Sequence, residues 1–145
     1  GDYGHVKSRA EMAAKMAFHF DIAGEPGASM LPGGEAFADA MARSVASIER
    51  LLGEPGWHTM LIAAHEGINR LILGWASGGG LSAVRAFEQD TACINVLDFD
   101  MVPNENGGTK IERVMIKAVN LTPYNYVKHG MNMNSLEAIF ARDPA

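Results

Sequence analysis

One short stretch constrains this chain more than any other. Met60-Leu61-Ile62-Ala63-Ala64 is an apolar run that ends abruptly in His65-Glu66-Gly67. Ile68, Leu71, Ile72 and Trp75 then recur at helical spacing. An unbroken apolar run, a tight turn and an amphipathic helix make the pattern of a buried strand leading into a helix. Such a unit places His65 just past the carboxyl end of a strand. Open α/β sheets bind ligands at that point, and helix N-termini attract anions through free N–H groups and the dipole. His65 therefore has two readings, a ligand to a phosphate or a residue that caps the turn.

The rest of the chain supplies helices and a hairpin. Lys7 to Phe20 reads as a helix, with Ala10, Ala13, Ala14, Ala17 and Phe18 on its apolar side. Asp21 to Gly34 holds four Gly and two Pro and reads as a long loop. Glu35 to Leu52 is the clearest helix, with Phe37, Met41, Val45, Ile48 and Leu52 in register. Gly53-Glu54-Pro55-Gly56 stops it, and Ser77-Gly78-Gly79-Gly80 stops the helix after His65. Leu81 to Phe87 reads as a short helix. Thr91 to Phe99 and Lys110 to Val119 read as two strands joined through Pro103, Asn104, Asn106, Gly107 and Gly108. Irregular chain follows Asn120, with a short helix expected around Leu136 to Phe140. The 145 residues suit one domain, and no internal repeat or linker interrupts them. The expected fold is α/β, a three-layer α/β/α sandwich. One strand and a hairpin make a thin sheet for it, so strands preceding residue 1 are expected.

Composition excludes several classes. A net charge of −5 leaves no basic footprint for nucleic acid. No apolar run approaches the roughly 18 residues of a spanning helix, and no signal peptide is visible. The lone Cys93 precludes an intramolecular disulfide, which suits a cytoplasmic location. Cys93 reads as a small hydrophobe inside a strand. His5, His19, His58 and His129 lack metal-ligand spacing, so no metal or cofactor is expected. His129 beside Lys128 offers a local positive patch in the tail. Gly78-Gly79-Gly80 follows a helix and so does not read as a phosphate-cradling loop.

Two helical arginines, Arg43 and Arg70, could pair with anions, salt bridges being their default. Asn69 could donate to a ligand or a neighbouring loop. Glu35, in Pro32-Gly33-Gly34-Glu35-Ala36-Phe37, has two readings. It complements the dipole of the helix start, or it serves as a general acid or base.

Taken together these motifs resemble the histidine phosphatase superfamily, the phosphoglycerate-mutase-like proteins, in its C-terminal part. The resemblance rests on Gly33-Gly34-Glu35-Ala36-Phe37 with Arg43, the run ending Ala64-His65-Glu66-Gly67, then Gln89, Ile94-Asn95-Val96-Leu97, and Val119-Asn120-Leu121-Thr122. Their order and spacing match across most of residues 1 to 125. Gly1-Asp2-Tyr3-Gly4 is similar to the glycine-flanked aromatic segment that precedes the first helix. The resemblance implies a phosphatase-like hydrolase of phosphate monoesters, acting through a phosphohistidine, with phosphoglycerate mutase as a sub-case. It assigns His65 to holding the phosphoryl group, together with the Glu66-Gly67 turn. It assigns Glu35 to proton donation. The nucleophilic His belongs to an Arg-His-Gly motif, and no such motif occurs in this sequence. Neither His5 nor His19 follows an Arg or precedes a Gly. The expectation is therefore a C-terminal piece of a longer enzyme, inactive alone, with the strand of Met60 to Ala64 lacking one neighbour. Its partner would be a small-molecule phosphate ester, without nucleic acid or membrane, self-association being open. The alternative is a non-catalytic domain that binds a phosphorylated ligand or a protein. Asp21 to Leu31 and Pro123 to Asn134, expected to line the outer pocket, carry no specificity signature.

Overall fold

The computed structural model describes Gly4 and residues 6–123. The expectations for Gly1-Asp2-Tyr3, His5, Lys128, His129, the outer-pocket segment beyond Pro123 and the helix near Leu136 lie outside the described residues.

Three α-helices come first in the chain. α1 spans Arg9–Ala17, α2 Phe37–Leu52 and α3 Glu66–Ala76. A 3₁₀ helix follows at Gly80–Ala86, and then an antiparallel hairpin of β1, Ile94–Pro103, and β2, Thr109–Leu121. Local chemistry sets each boundary. Ser8 Oγ accepts the Glu11 N–H at 3.1 Å, and the Glu11 carboxylate accepts the Lys7 N–H at 3.1 Å. This reciprocal capping starts α1 two residues later than its apolar spacing suggests. α2 begins at Phe37, not Glu35. Ala36 is its N-cap and makes an isolated bridge to Ser29, which closes the Gly/Pro-rich loop.

The core forms where the loop and the helices meet. Phe20 and Ala23 from the loop, Phe37 and Ala40 from α2, Leu71 from α3 and Val84 from the 3₁₀ helix make one buried cluster. Each buried Phe contributes about 1.5–3 kcal/mol relative to exposure. α2 turns Phe37, Ala40, Ser44 and Ile48 inward, so its buried stripe is rotated from the one the bulky residues define. Small residues win because α3 lies close. At Gly74 of α3, a Cβ would stand 2.7 Å from the Gly80 carbonyl oxygen and 3.0 Å from Val84. Only a glycine lets the 3₁₀ helix pack there.

The hairpin is the whole sheet among the described residues. Asp98 faces Met115, Phe99 faces Val114 and Asp100 faces Arg113, with register shifts near Val96 and after Asp100. Asn104 closes the turn, its Oδ1 accepting the N–H groups of Asn106 at 3.0 Å and Gly108 at 2.9 Å. Trp75 of α3 stacks on Phe99 of β1 with ring centroids 6.2 Å apart.

Met60 to Ala64 differs from expectation. The run carries no strand pairing, and Leu61 is 92% exposed. A strand is a hydrogen-bonded object, and the described residues offer this run no partner. The architecture is mixed α/β with a two-stranded sheet among the described residues. Cys93 falls just before β1 instead of inside a strand, its Sγ donating to Gln89 Oε1 at 3.4 Å. Burial pushes its thiol pKa up.

Candidate functional site

The chemistry is laid out around the start of α3. His65 is the N-cap of that helix, in extended backbone (φ −79°, ψ 157°), and its carbonyl accepts the Asn69 N–H at 3.0 Å. The imidazole makes no capping bond, so the cap reading of the side chain fails. His65 is exposed. The next three N–H groups, of Glu66, Gly67 and Ile68, precede the first intrahelical donor and have no protein acceptor among the described residues. They form the positive end of an eleven-residue helix.

The first turn of α3 is held rigidly. Glu66 Oε1 accepts from Arg70 Nε at 3.1 Å and from Nη2 at 2.9 Å. Both side chains are nearly enclosed, at 11% and 10% exposure. Arg70 also lies over the Phe20 ring, 4.6 Å from its centroid, so it is a buried internal strut and offers no charge to a ligand. The Glu66 carboxylate is consumed in the same way, which leaves its backbone N–H as the group available to an anion. Gly67 stands against the edge of Phe20, where a Cβ would meet Cζ at 3.6 Å.

His19 belongs to this support. It is buried, stacks near Phe20 and Phe37, and donates from Nδ1 to the Met16 carbonyl. Its Nε2 has no hydrogen-bond partner among the described residues. Burial lowers its pKa, outweighing the Met16 hydrogen bond and the Glu66 charge. The sequence pattern gave no sign of this role, because His19 is not on the apolar side read for Lys7 to Phe20.

Glu35 sits two residues ahead of α2, its carboxylate gripped by Arg43 through Nε–Oε1 and Nη2–Oε2 bonds of 2.9 Å each. The side chain is 46% exposed. The guanidinium holds the carboxyl below its usual range, so Glu35 is ionised in this arrangement. That is opposite to the raised pKa a resting general acid needs. Neither Glu35 nor His65 lines the main cavities, which lie beside β1 and along α2. Asn69 does line a cavity, together with Met60, Leu73 and Cys93.

A second polar cluster joins the start of the hairpin to its end. Gln89 and Asn95 exchange two amide bonds, Asn95 Nδ2 to Gln89 Oε1 at 2.6 Å and Gln89 Nε2 to Asn95 Oδ1 at 3.1 Å. Asn95 Oδ1 also accepts the Asn120 N–H at 2.9 Å. The Asn120 side chain then accepts the Asp90 N–H at 2.7 Å and donates to Asp90 Oδ2 at 2.9 Å. These are residues of the Gln89, Asn95 and Asn120 pattern that carried the resemblance. Their spacing alone gave no sign that they hold one another.

The family model of the histidine phosphatase superfamily (branch 1) matches residues 1–111. The chain belongs to the histidine phosphatase superfamily. Neither a curated protein nor a solved structure matches it. Membership of a phosphatase/mutase-type family accords with the mixed α/β architecture. No helix among the described residues is long and apolar enough to cross a membrane, and no cluster of His, Cys, Asp and Glu there could hold a metal ion.

Proposed function

We propose that this chain is part of a phosphatase-like hydrolase that cleaves phosphate monoesters through a phosphohistidine. The carrying observation is the start of α3, where His65 precedes three N–H groups that have no acceptor among the described residues, in a member of this family. Oxygens of a transferring phosphoryl group gain charge as the ester bond breaks. Fixed donors at their positions stabilise the transition state without reorganisation. The Glu66–Arg70 strut and Phe20 keep those donors fixed.

The nucleophile is a histidine of an Arg-His-Gly segment outside these 145 residues. Its ring nitrogen attacks phosphorus, the ester P–O bond breaks, and the leaving alkoxide takes a proton from Glu35. Water then attacks the phosphohistidine, Glu35 accepts a proton from that water, and inorganic phosphate leaves. Glu35 acquires the first proton when the substrate dianion arrives. A nearby negative charge raises a carboxyl pKa, and the phosphate competes for Arg43, which now lowers it. Transfer to a second hydroxyl in place of water would make the same site a phosphomutase.

The test uses the polypeptide that includes the nucleophilic segment. His65→Ala should lose at least about 100-fold in turnover of an aryl phosphate, the usual cost of a lost transition-state donor. Near-normal turnover would refute its role. Glu35→Gln should slow substrates with poor leaving groups more than those with good ones, and equal losses would make Glu35 structural. Residues 1 to 145 alone should bind phosphate without hydrolysing it, since covalent catalysis needs its nucleophile. Binding without turnover in the longer polypeptide as well would favour a phospho-ligand-binding domain.

A further inference from the structure

The segment between α1 and α2 is fastened from within. Phe20 and Ala23 belong to the core, and Ala28 packs against it. Successive turns close along the segment. Asp21 N–H donates to the Phe18 carbonyl at 3.0 Å, Ala23 to Phe20 at 3.2 Å, Glu25 to Ile22 at 2.9 Å and Ala28 to Glu25 at 3.1 Å. The last part then doubles back. Phe37 N–H donates to the Ala28 carbonyl at 2.8 Å, Ser29 bridges Ala36, and Gly34 N–H donates to the Leu31 carbonyl at 2.8 Å. Pro32 and Gly33 make the turn between them, Gly33 at φ 68° as the third residue of such a turn requires.

This register puts Met30 opposite Glu35. Opposite residues of an antiparallel pair carry their side chains on one face, with Cβ atoms about 4.5–5.5 Å apart. Both are open to solvent. An exposed methionine is ordinary by itself. This one stands beside a carboxyl that has to come within hydrogen-bond reach of the leaving-group oxygen. Whatever that oxygen carries therefore lies against the Met30 side chain. A flexible thioether fits apolar groups of varied outline. In the linear sequence Met30 has no such place, because five residues separate it from Glu35 and only the turn brings the two together.

Charge narrows the class further. Between Lys15 and Arg43 the chain has Asp21, Glu25, Glu35 and Asp39, all exposed, and no lysine or arginine. Arg43 itself is bound by Glu35. A second anionic group on the substrate would meet like charge along this segment, and no cation of the segment would receive it.

We propose that Met30 is the leaving-group wall beside Glu35 and that the substrate is the phosphate monoester of an apolar, uncharged alcohol. The inference rests on the reading of Glu35 as proton donor in a phosphatase-like hydrolase, and it names what that donor acts on. A substrate of the phosphoglycerate kind, with a carboxylate near the ester, is disfavoured.

Three phenyl phosphates test the wall in the polypeptide that includes the nucleophilic segment. They carry a 4-ethyl, a 4-carboxymethyl or a 4-aminoethyl group, so their leaving groups are close in basicity and differ in charge. The kcat/KM of the ethyl ester should exceed that of the carboxymethyl ester at least about tenfold. Met30→Ala should cost the ethyl ester about tenfold, chiefly in KM, and leave the carboxymethyl ester little changed. Met30→Lys should reverse the preference. Equal kcat/KM for the ethyl and carboxymethyl esters, a preference for the aminoethyl ester, or a Met30→Ala that slows all three alike would overturn the proposal. Benzylphosphonates with the same three substituents read the wall without chemistry, through Kd measured by calorimetry. The same Met30-dependent ranking among them, with no ester hydrolysed, would leave the wall standing and remove the proposed reaction. Hydrolysis indifferent to Met30 would keep the reaction and remove the wall, and phosphonates that do not bind would overturn both.

Discussion

Asn120 ties the far end of β2 back to the chain ahead of β1, and its removal has a cost that can be apportioned. Its backbone is left-handed (φ 53°), a conformation that Asn tolerates and Ala resists by about 1–2 kcal/mol. Its side chain makes two bonds to Asp90, one from the backbone N–H and one to the carboxylate. A neutral hydrogen bond is worth about 0.5–1.5 kcal/mol and one to a charged group about 1.5–3. Asn120→Ala should therefore cost about 3–6.5 kcal/mol. Asn120→Gly loses the same bonds without the strain and should cost about 1–2 kcal/mol less than the Ala variant. Asn120→Asp keeps the acceptor but sets a second carboxylate against Asp90. Two adjacent carboxylates cannot both ionise cheaply, so this variant should regain stability as pH falls and one proton bridges the pair. Urea unfolding followed by far-UV circular dichroism, with unchanged slope, measures all three. Equal losses for Ala and Gly would remove the strain argument. A flat pH response of Asn120→Asp, relative to the parent, would show that the two side chains do not face each other.

Other expectations are simpler. Gly74→Ala gains about 1 kcal/mol of helix propensity but drives a methyl against the Gly80 carbonyl and Val84, an overpacking cost of about 1–3 kcal/mol. The melting temperature should fall, and a rise would mean that the 3₁₀ helix yields freely. His19 is buried with its pKa lowered from 6.5, so the folded state resists a proton that the unfolded state accepts. Stability attributable to it is full above about pH 6.5 and declines as pH falls from there toward the folded pKa. Glu66, Arg70 and Asp21 are the charged groups that act on it. His19→Leu should flatten that part of the stability-versus-pH curve, and an unchanged slope would exclude His19 as its source.

Much of the fold was legible because its elements are locally determined. α2, α3 and the hairpin follow from periodicity, β-branched runs and the Asn/Gly turn. Errors arose where a neighbour decides. Apolar spacing extends α2 back to Glu35, but the Ser29–Ala36 bridge delays that helix. Met60 to Ala64 has a strand's sequence, yet strand formation depends on a second backbone. At the site, position marked His65 and composition marked Glu35. Neither could show that Arg43 would hold Glu35 ionised, because the pair is eight residues apart and depends on how the loop enters α2. The Glu66–Arg70 pair was readable as a four-residue helical spacing, but its burial under Phe20 was not.

The stacking of Trp75 on Phe99 also bears on where the molecule comes apart first. A two-stranded hairpin is marginal by itself and borrows its persistence from whatever it leans on. Here it leans on α3, the Trp75–Phe99 pair being its aromatic contact, and it is fastened at its base by the Asn120–Asp90 clasp. The helices, by contrast, share the core cluster of Phe20, Phe37, Leu71 and Val84. Opening should therefore begin as a hinge at residues 89–93, with the hairpin swinging away while the helical half stays shut. Trp75 stands at that hinge's contact face. Its emission would register the swing as a separate event, at lower denaturant than the loss of helix.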